Sequence, residues 1–177
     1  MVTLGFTVAA IVVAVQTPAQ AFPSYYYIIR NELNGKCLDA DATNGSNGTK
    51  VQLWDCHGGK NQRWYTWSNM RTGIAELRNG RFGNMCLDSD NSRPINNGLK
   101  VQLWTCHGGN NQRWMARNAE GPSENDMIYH SSASYPFILD ADISGGSVNG
   151  MKVQLWGDLK AANQHWILQY NYDPNSA

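Results

Sequence analysis

The chain has 177 residues, the usual length of one domain. Lys plus Arg and Asp plus Glu both total 14, so the net charge is zero, which excludes a general polyanion binder such as a non-specific nucleic-acid protein. Charges are few while Gly, Asn, Ser and Trp are plentiful, a surface suited to a neutral, hydroxylated partner.

In chain order, the apolar run "LGFTVAAIVVAV" (Leu4–Val15) comes first, too short to span a membrane. Small residues at Ala19 and Ala21 follow. This pattern predicts a secretory signal peptide over residues 1–21, although its "MVT" start carries no Lys or Arg. Residues 22–177 are then a secreted domain with no membrane insertion. Beyond it, "YYYII" (25–29), "KCLDA" (36–40), "KVQLW" (50–54) and "RWYTW" (63–67) read as short strands. "NGSNGT", "SRPINNG" and "SGGSVNG" read as turns. No amphipathic helix of useful length is visible.

The pattern occurs three times. Gln-x-Trp triplets end at Trp64, Trp114 and Trp166, "VQLW" ends at Trp54, Trp104 and Trp156, and "CLD", "CLD", "ILD" end at Asp39, Asp88 and Asp140. Repeats occupy about 25–70, 71–118 and 119–170. Three units are too few for a propeller. Three copies of about four strands predict an all-β closed barrel with pseudo-threefold symmetry. The three markers in fixed order resemble the ricin-B-type (QxW) lectins, also used as carbohydrate-binding modules. The resemblance implies a β-trefoil of twelve strands that binds sugars, with a candidate site in each repeat.

Four cysteines in an exported chain point to disulfides. Cys37 and Cys56 lie in one unit, and Cys86 and Cys106 occupy the equivalent positions in the next. The repeat therefore predicts the pairs Cys37–Cys56 and Cys86–Cys106. The third unit has Ile138 and Asp158 there, so both partners are missing together. Zinc on Cys56-His57 or Cys106-His107 is disfavoured, because adjacent ligands are poor spacing for a structural site. "DADISG" (140–145) opens like an EF-hand loop, but its twelfth position is Met151. No metal and no cofactor are expected.

A hexose offers an apolar C–H face and a ring of hydroxyls, so it needs an aromatic plate with carboxylate and amide partners. Each repeat carries this set: Trp54, Asp39 and Asn61; Trp104, Asp88 and Asn111; Trp156, Asp140 and Asn163. Each Asp is expected to accept from two neighbouring hydroxyls. The resemblance implies that Gln62, Gln112 and Gln164 belong to the carbohydrate sites by bracing the Asp. Gln52, Gln102 and Gln154 are similarly placed. Trp64, Trp114 and Trp166 are expected in the core. His57 and His107 are either rim contacts or plain loop histidines, and the third site has Leu159 there instead.

The expected partner is a glycan or polysaccharide, of galactose or xylan type. Rival readings are a glycosidase, a protein-binding trefoil, and a targeting subunit of a hydrolase or toxin complex. A glycosidase needs two carboxylates facing across one cleft, whereas the marker Asps fall one per repeat. Asn44 and Asn47 open glycosylation sequons.

Overall fold

The computed structural model describes residues 25–118, 126–131 and 137–173. The predicted signal segment lies outside them. Twelve strands form one continuous sheet: β1 (Tyr25–Asn31), β2 (Cys37–Ala40), β3 (Thr49–Trp54), β4 (Trp64–Tyr65), β5 (Arg78–Asn79), β6 (Met85–Ser89), β7 (Leu99–Thr105), β8 (Trp114–Asn118), β9 (Asp126–His130), β10 (Phe137–Ala141), β11 (Met151–Gly157) and β12 (Trp166–Tyr172). That is four strands per repeat, as the sequence predicts.

Two layers follow from the pairing. β1 pairs with β12 and β4, β4 with β5, β8 with β9, and β9 with β12, while a bridge from Ala75 to Trp114 joins the two ends of the second repeat. These strands make a barrel. The hairpins β2–β3, β6–β7 and β10–β11 cap one end, because β3, β7 and β11 each pair with the other two. The result is a β-trefoil, closed so that its strands have few free edges.

The "KVQLW" runs show why these residues form strands. Side chains alternate across a strand, so Val51 and Leu53 point into the core while Lys50 and Trp54 point out. The same alternation buries Val101, Leu103, Val153 and Leu155. Trp64, Trp114 and Trp166 are each 0% exposed. Their indole N–H groups donate to the carbonyls of Leu38, Leu87 and Leu139 at 3.0, 2.9 and 3.0 Å. Each thus packs in the core with its one polar atom satisfied.

One predicted strand is shorter than expected. "RWYTW" pairs only at Trp64 and Tyr65; Thr66 and Trp67 leave the sheet. Thr66 Oγ1 instead accepts from the Ser68 N–H and donates to its carbonyl, a local bend that competes with the ladder.

Candidate functional site

Each site starts from a hairpin. Asp39 sits opposite Gln52 on β2–β3, Asp88 opposite Gln102, and Asp140 opposite Gln154. Strand alternation would send these side chains outward, but the following loop folds over them. In each repeat that loop contains a single 3-10 turn, over Lys60–Gln62, Asn110–Gln112 and Ala162–Gln164. The turn delivers an Asn and a Gln onto the carboxylate.

The bonds repeat closely. Asp39 Oδ2 accepts from Asn61 Nδ2 at 2.8 Å and Gln62 Nε2 at 3.0 Å, and Oδ1 accepts from Gln52 Nε2 at 3.3 Å. Asp88 receives Asn111 at 2.7 Å, Gln112 at 3.0 Å and Gln102 at 3.2 Å. Asp140 receives Asn163 at 2.9 Å, Gln164 at 3.0 Å and Gln154 at 3.0 Å. Burial pushes all three carboxyls above the usual range, and the amide donors partly offset this by favouring the ionised form.

The glutamines of the Gln-x-Trp triplets are 0% exposed. Gln62 also donates to the Asp55 carbonyl at 3.0 Å and accepts from the His57 N–H at 2.9 Å. Gln112 and Gln164 make the equivalent bonds, to Thr105 and Gly157 and from His107 and Leu159. With both amide ends spent on protein, they are bracing residues and do not reach the surface. Gln52, Gln102 and Gln154 brace the other carboxylate oxygen.

The expectation of two hydroxyls on each Asp also narrows. An ionised carboxylate has about four acceptor positions, and three are filled by amide donors. What remains open is one position on Oδ1. Asn61, Asn111 and Asn163 spend Nδ2 on the Asp, while Nδ2 of Asn61, Asn111 and Asn163 also reaches the carbonyls of Ala40, Ser89 and Ala141. Their Oδ1 atoms are the acceptors left for a ligand.

Trp54 and Trp104 are 39% and 38% exposed, and Trp156 is half-buried. Around the first site Trp54, Asp39, Asp41, His57, Lys60 and Arg81 line a hollow of about 800 Å³. Around the third, Trp156, Asp140, Asp142, Ile143, Leu159 and Lys152 line one of about 560 Å³. The rim aspartates Asp41 and Asp142 close tight turns by accepting from the N–H of Thr43 and Ser144; hydrogen bonds from the backbone and side chain of Thr43, and from the side chain and backbone of Ser144, lower their pKa. The "DxD" spacing that opens like an EF-hand loop in the sequence thus builds rim turns, and no repeat marker singles out Lys60 or Arg81.

His57 and His107 lie at the rim. Nδ1 of each accepts from the N–H of Gly59 or Gly109, which places the proton of the neutral ring on Nε2. Nε2 faces Asp39 Oδ2 at 3.5 Å and Asp88 Oδ2 at 3.8 Å. Leu159 removes this polar group from the third site.

The loops are tied down as the repeat predicts: Cys37 is bonded to Cys56 and Cys86 to Cys106. In the third repeat Ile138 is fully buried and Asp158 Oδ1 accepts from the Lys160 N–H. Among the described residues no group of three or more His, Cys, Asp or Glu is placed to hold a metal ion.

Three hairpins, three braced carboxylates and three outward tryptophans define a trefoil with an aromatic–carboxylate site in each repeat. The ricin-type β-trefoil lectin domain matches residues 25–166, and the chain belongs to that family. Solved structures share the fold. A designed threefold-symmetric protein, ThreeFoil, aligns with a TM-score of 0.69 at 24% identity, covering 82% of this chain and 98% of that one. The Macrolepiota procera ricin B-like lectin, solved in complex with lactose, aligns at 0.67 and 22% identity over 86% and 99%. An exo-β-1,3-galactanase from Clostridium thermocellum aligns at 0.69 and 24% identity over 85% of this chain, which spans only 30% of that enzyme.

Proposed function

We propose that this lectin domain is a secreted glycan binder with three sugar sites, one per repeat, that prefers galactose-type ligands. One observation carries the reading: the Asp–Asn–Gln–Gln network recurs in all three repeats beside an outward Trp, with equivalent bonds matching to a few tenths of an ångström. A sugar C–H face stacks on Trp54, Trp104 or Trp156. Its hydroxyls donate to the open Oδ1 position of the Asp and to Oδ1 of the Asn. A charged acceptor strengthens such bonds roughly twofold over neutral ones. His57 and His107 add an Nε2–H donor at the first two rims. The third site is more apolar, through Leu159 and Ile143, and takes a sugar with a less polar edge.

The galactose preference is supported by the lactose-bound fungal lectin and by the galactanase. Three weak sites on one rigid body gain avidity on a multivalent surface. Isothermal titration with lactose and, separately, xylobiose tests the reading. Lactose binding without xylobiose binding is the expected result; the reverse assigns a xylan-type ligand, and no binding of either refutes the proposal. Secretion rests on residues 1–21 and is tested by amino-terminal sequencing of protein from the medium, which should begin at Phe22. The galactanase likeness favours a second reading, a targeting subunit for a hydrolase. A pull-down from the source organism would recover that partner.

A further inference from the structure

Trp67 stands outside the threefold pattern. Its equivalents, counted from the core tryptophans, are Arg117 and Gln169. It is 46% exposed, although it lies in none of the three sites. Two hollows meet at its ring. One of about 450 Å³ is bordered by Trp67, Ile74, Glu76, Gly108 and Arg113. The other, about 220 Å³, lies between Trp67, Asn69 and the stacked rings of Tyr25 and Tyr170, whose centroids are 4.9 Å apart and nearly parallel.

The ring is held in place. The Arg78 guanidinium sits 4.5 Å from its centroid and is ion-paired to Glu76 at 3.3 Å. Arg78 borders neither hollow, so its guanidinium holds the indole without filling the space beside it. An aromatic plate fixed in advance loses little rotamer freedom when a ligand lands on it.

The larger hollow borders the loop that builds the second repeat's site. Gly108 belongs to the His107–Gln112 loop, whose residues hold and face Asp88. A Cβ on Gly108 would lie 4.0 Å from Glu76 Oε1, so the hollow begins where that loop ends. The loop thus has Asp88 on one side and Glu76 and Trp67 on the other.

We propose that Trp67 is the plate of an extended subsite for the second repeat's site. A neutral glycan chain seated on Trp104 and Asp88 runs past Gly108 onto Trp67 and toward Tyr25 and Tyr170. The inference rests on the reading of that site as a sugar site. Its chemistry repeats that site's own: an aromatic face, a carboxylate in Glu76, and donors in Arg113 and Asn69 for hydroxyls. A residue of the first repeat thereby sets the chain-length preference of the second repeat's site.

The test is isothermal titration in a W54A/W156A background, which leaves only the second site, with lactose and a galacto-oligosaccharide of about five units as probes. The longer probe should bind about tenfold more tightly than lactose. W67A should bring that ratio close to one, and W67F should keep most of it; circular dichroism confirms that each variant is folded. A ratio that survives W67A, or a ratio of one before it is introduced, overturns the proposal while leaving the sugar-site reading intact. Failure of both probes to bind overturns both.

Discussion

The site carboxylates are buried acids, and the ligand contact proposed for them depends on charge. Asp39, Asp88 and Asp140 are at most 3% exposed, and burial raises their pKa above the ordinary range. As pH falls, each takes up a proton earlier than a free Asp with a pKa of about 3.9. A protonated carboxyl gives up its charge-assisted acceptor role. Lactose affinity, measured by titration from pH 7 downward, should therefore decline at a pH above that of an ordinary carboxylate. A second residue titrates in the opposite sense, and its effect is on stability. The carbonyl of Asn61 is met by Asn79 Nδ2 and that of Asn163 by Asn31 Nδ2, each at 3.0 Å. In the second repeat the Asn111 backbone is met by His130, which pairs with Ser89 Oγ at 2.9 Å. Ser89 stands where the other repeats have Ala40 and Ala141, so the two departures compensate each other. Burial lowers the His130 pKa from 6.5 to about 4. The folded state then binds fewer protons than the unfolded state between those values, so stability is full above the unfolded pKa and is lost as pH falls through this window. Restoring the sister pair with S89A/H130N should remove about 2–3 kcal/mol of the stability loss between neutral pH and pH about 4.5. Urea unfolding at both pH values reads this out. The sequence made the Trp, Asp and Asn of each site legible because they recur at fixed spacing. Ser89 and His130 lie 41 residues apart, and nothing local marks them as partners.

Among the elements, the site loops show how one geometry is reached by two means. In the first two repeats the loop is closed by a disulfide spanning 19 or 20 residues. The third replaces it with buried Ile138 and a turn in which Asp158 accepts from Lys160. Lys160 adopts the left-handed conformation, φ 53°, held by Gly58 and Gly108 at 67° and 69° in the sister loops. Transplanting that solution as C86I/C106D should leave the loop able to bind while lowering stability by about 3 kcal/mol, the chain-entropy value for such a loop. Chemical unfolding and lactose titration of one sample separate the two effects. The pairing was readable because equivalent positions in a repeat must share geometry, and because both cysteines vanish together in the third copy. The end of β4 was not readable. The aromatic content of "RWYTW" predicts a strand to Trp67, but its ring is claimed by Arg78 and the Thr66 hydroxyl turns the backbone out of the sheet.

For the whole molecule, the repeats are laced in a ring. Asn47 Oδ1 accepts from the Thr105 N–H at 2.7 Å, Asn97 Oδ1 from Gly157 at 2.8 Å, and Asn149 Oδ1 from Asp55 at 2.9 Å. Lys50, Lys100 and Lys152 bridge the other way, to the carbonyls of Gly150, Gly48 and Gly98. Each contact ties one repeat to another, and the third closes back on the first. Asn47 had been noted only as a sequon; its bonding role crosses 58 residues and could not be seen in one unit. A molecule joined this way should unfold as one unit. Trp114→Ala, which empties a fully buried core position, should cost about 3–5 kcal/mol in a single transition that takes all three repeats with it. Coincident tryptophan fluorescence and circular dichroism curves check this.

The seven tryptophans divide by role, which gives the most direct test of the three-site account. In a lactose titration followed by ¹H–¹⁵N correlation spectra, the indole signals of Trp54, Trp104 and Trp156 should move. Those of Trp64, Trp114 and Trp166, buried and bonded to backbone carbonyls, should stay in place. Lactose that binds while leaving the three outward indoles unmoved would contradict the account.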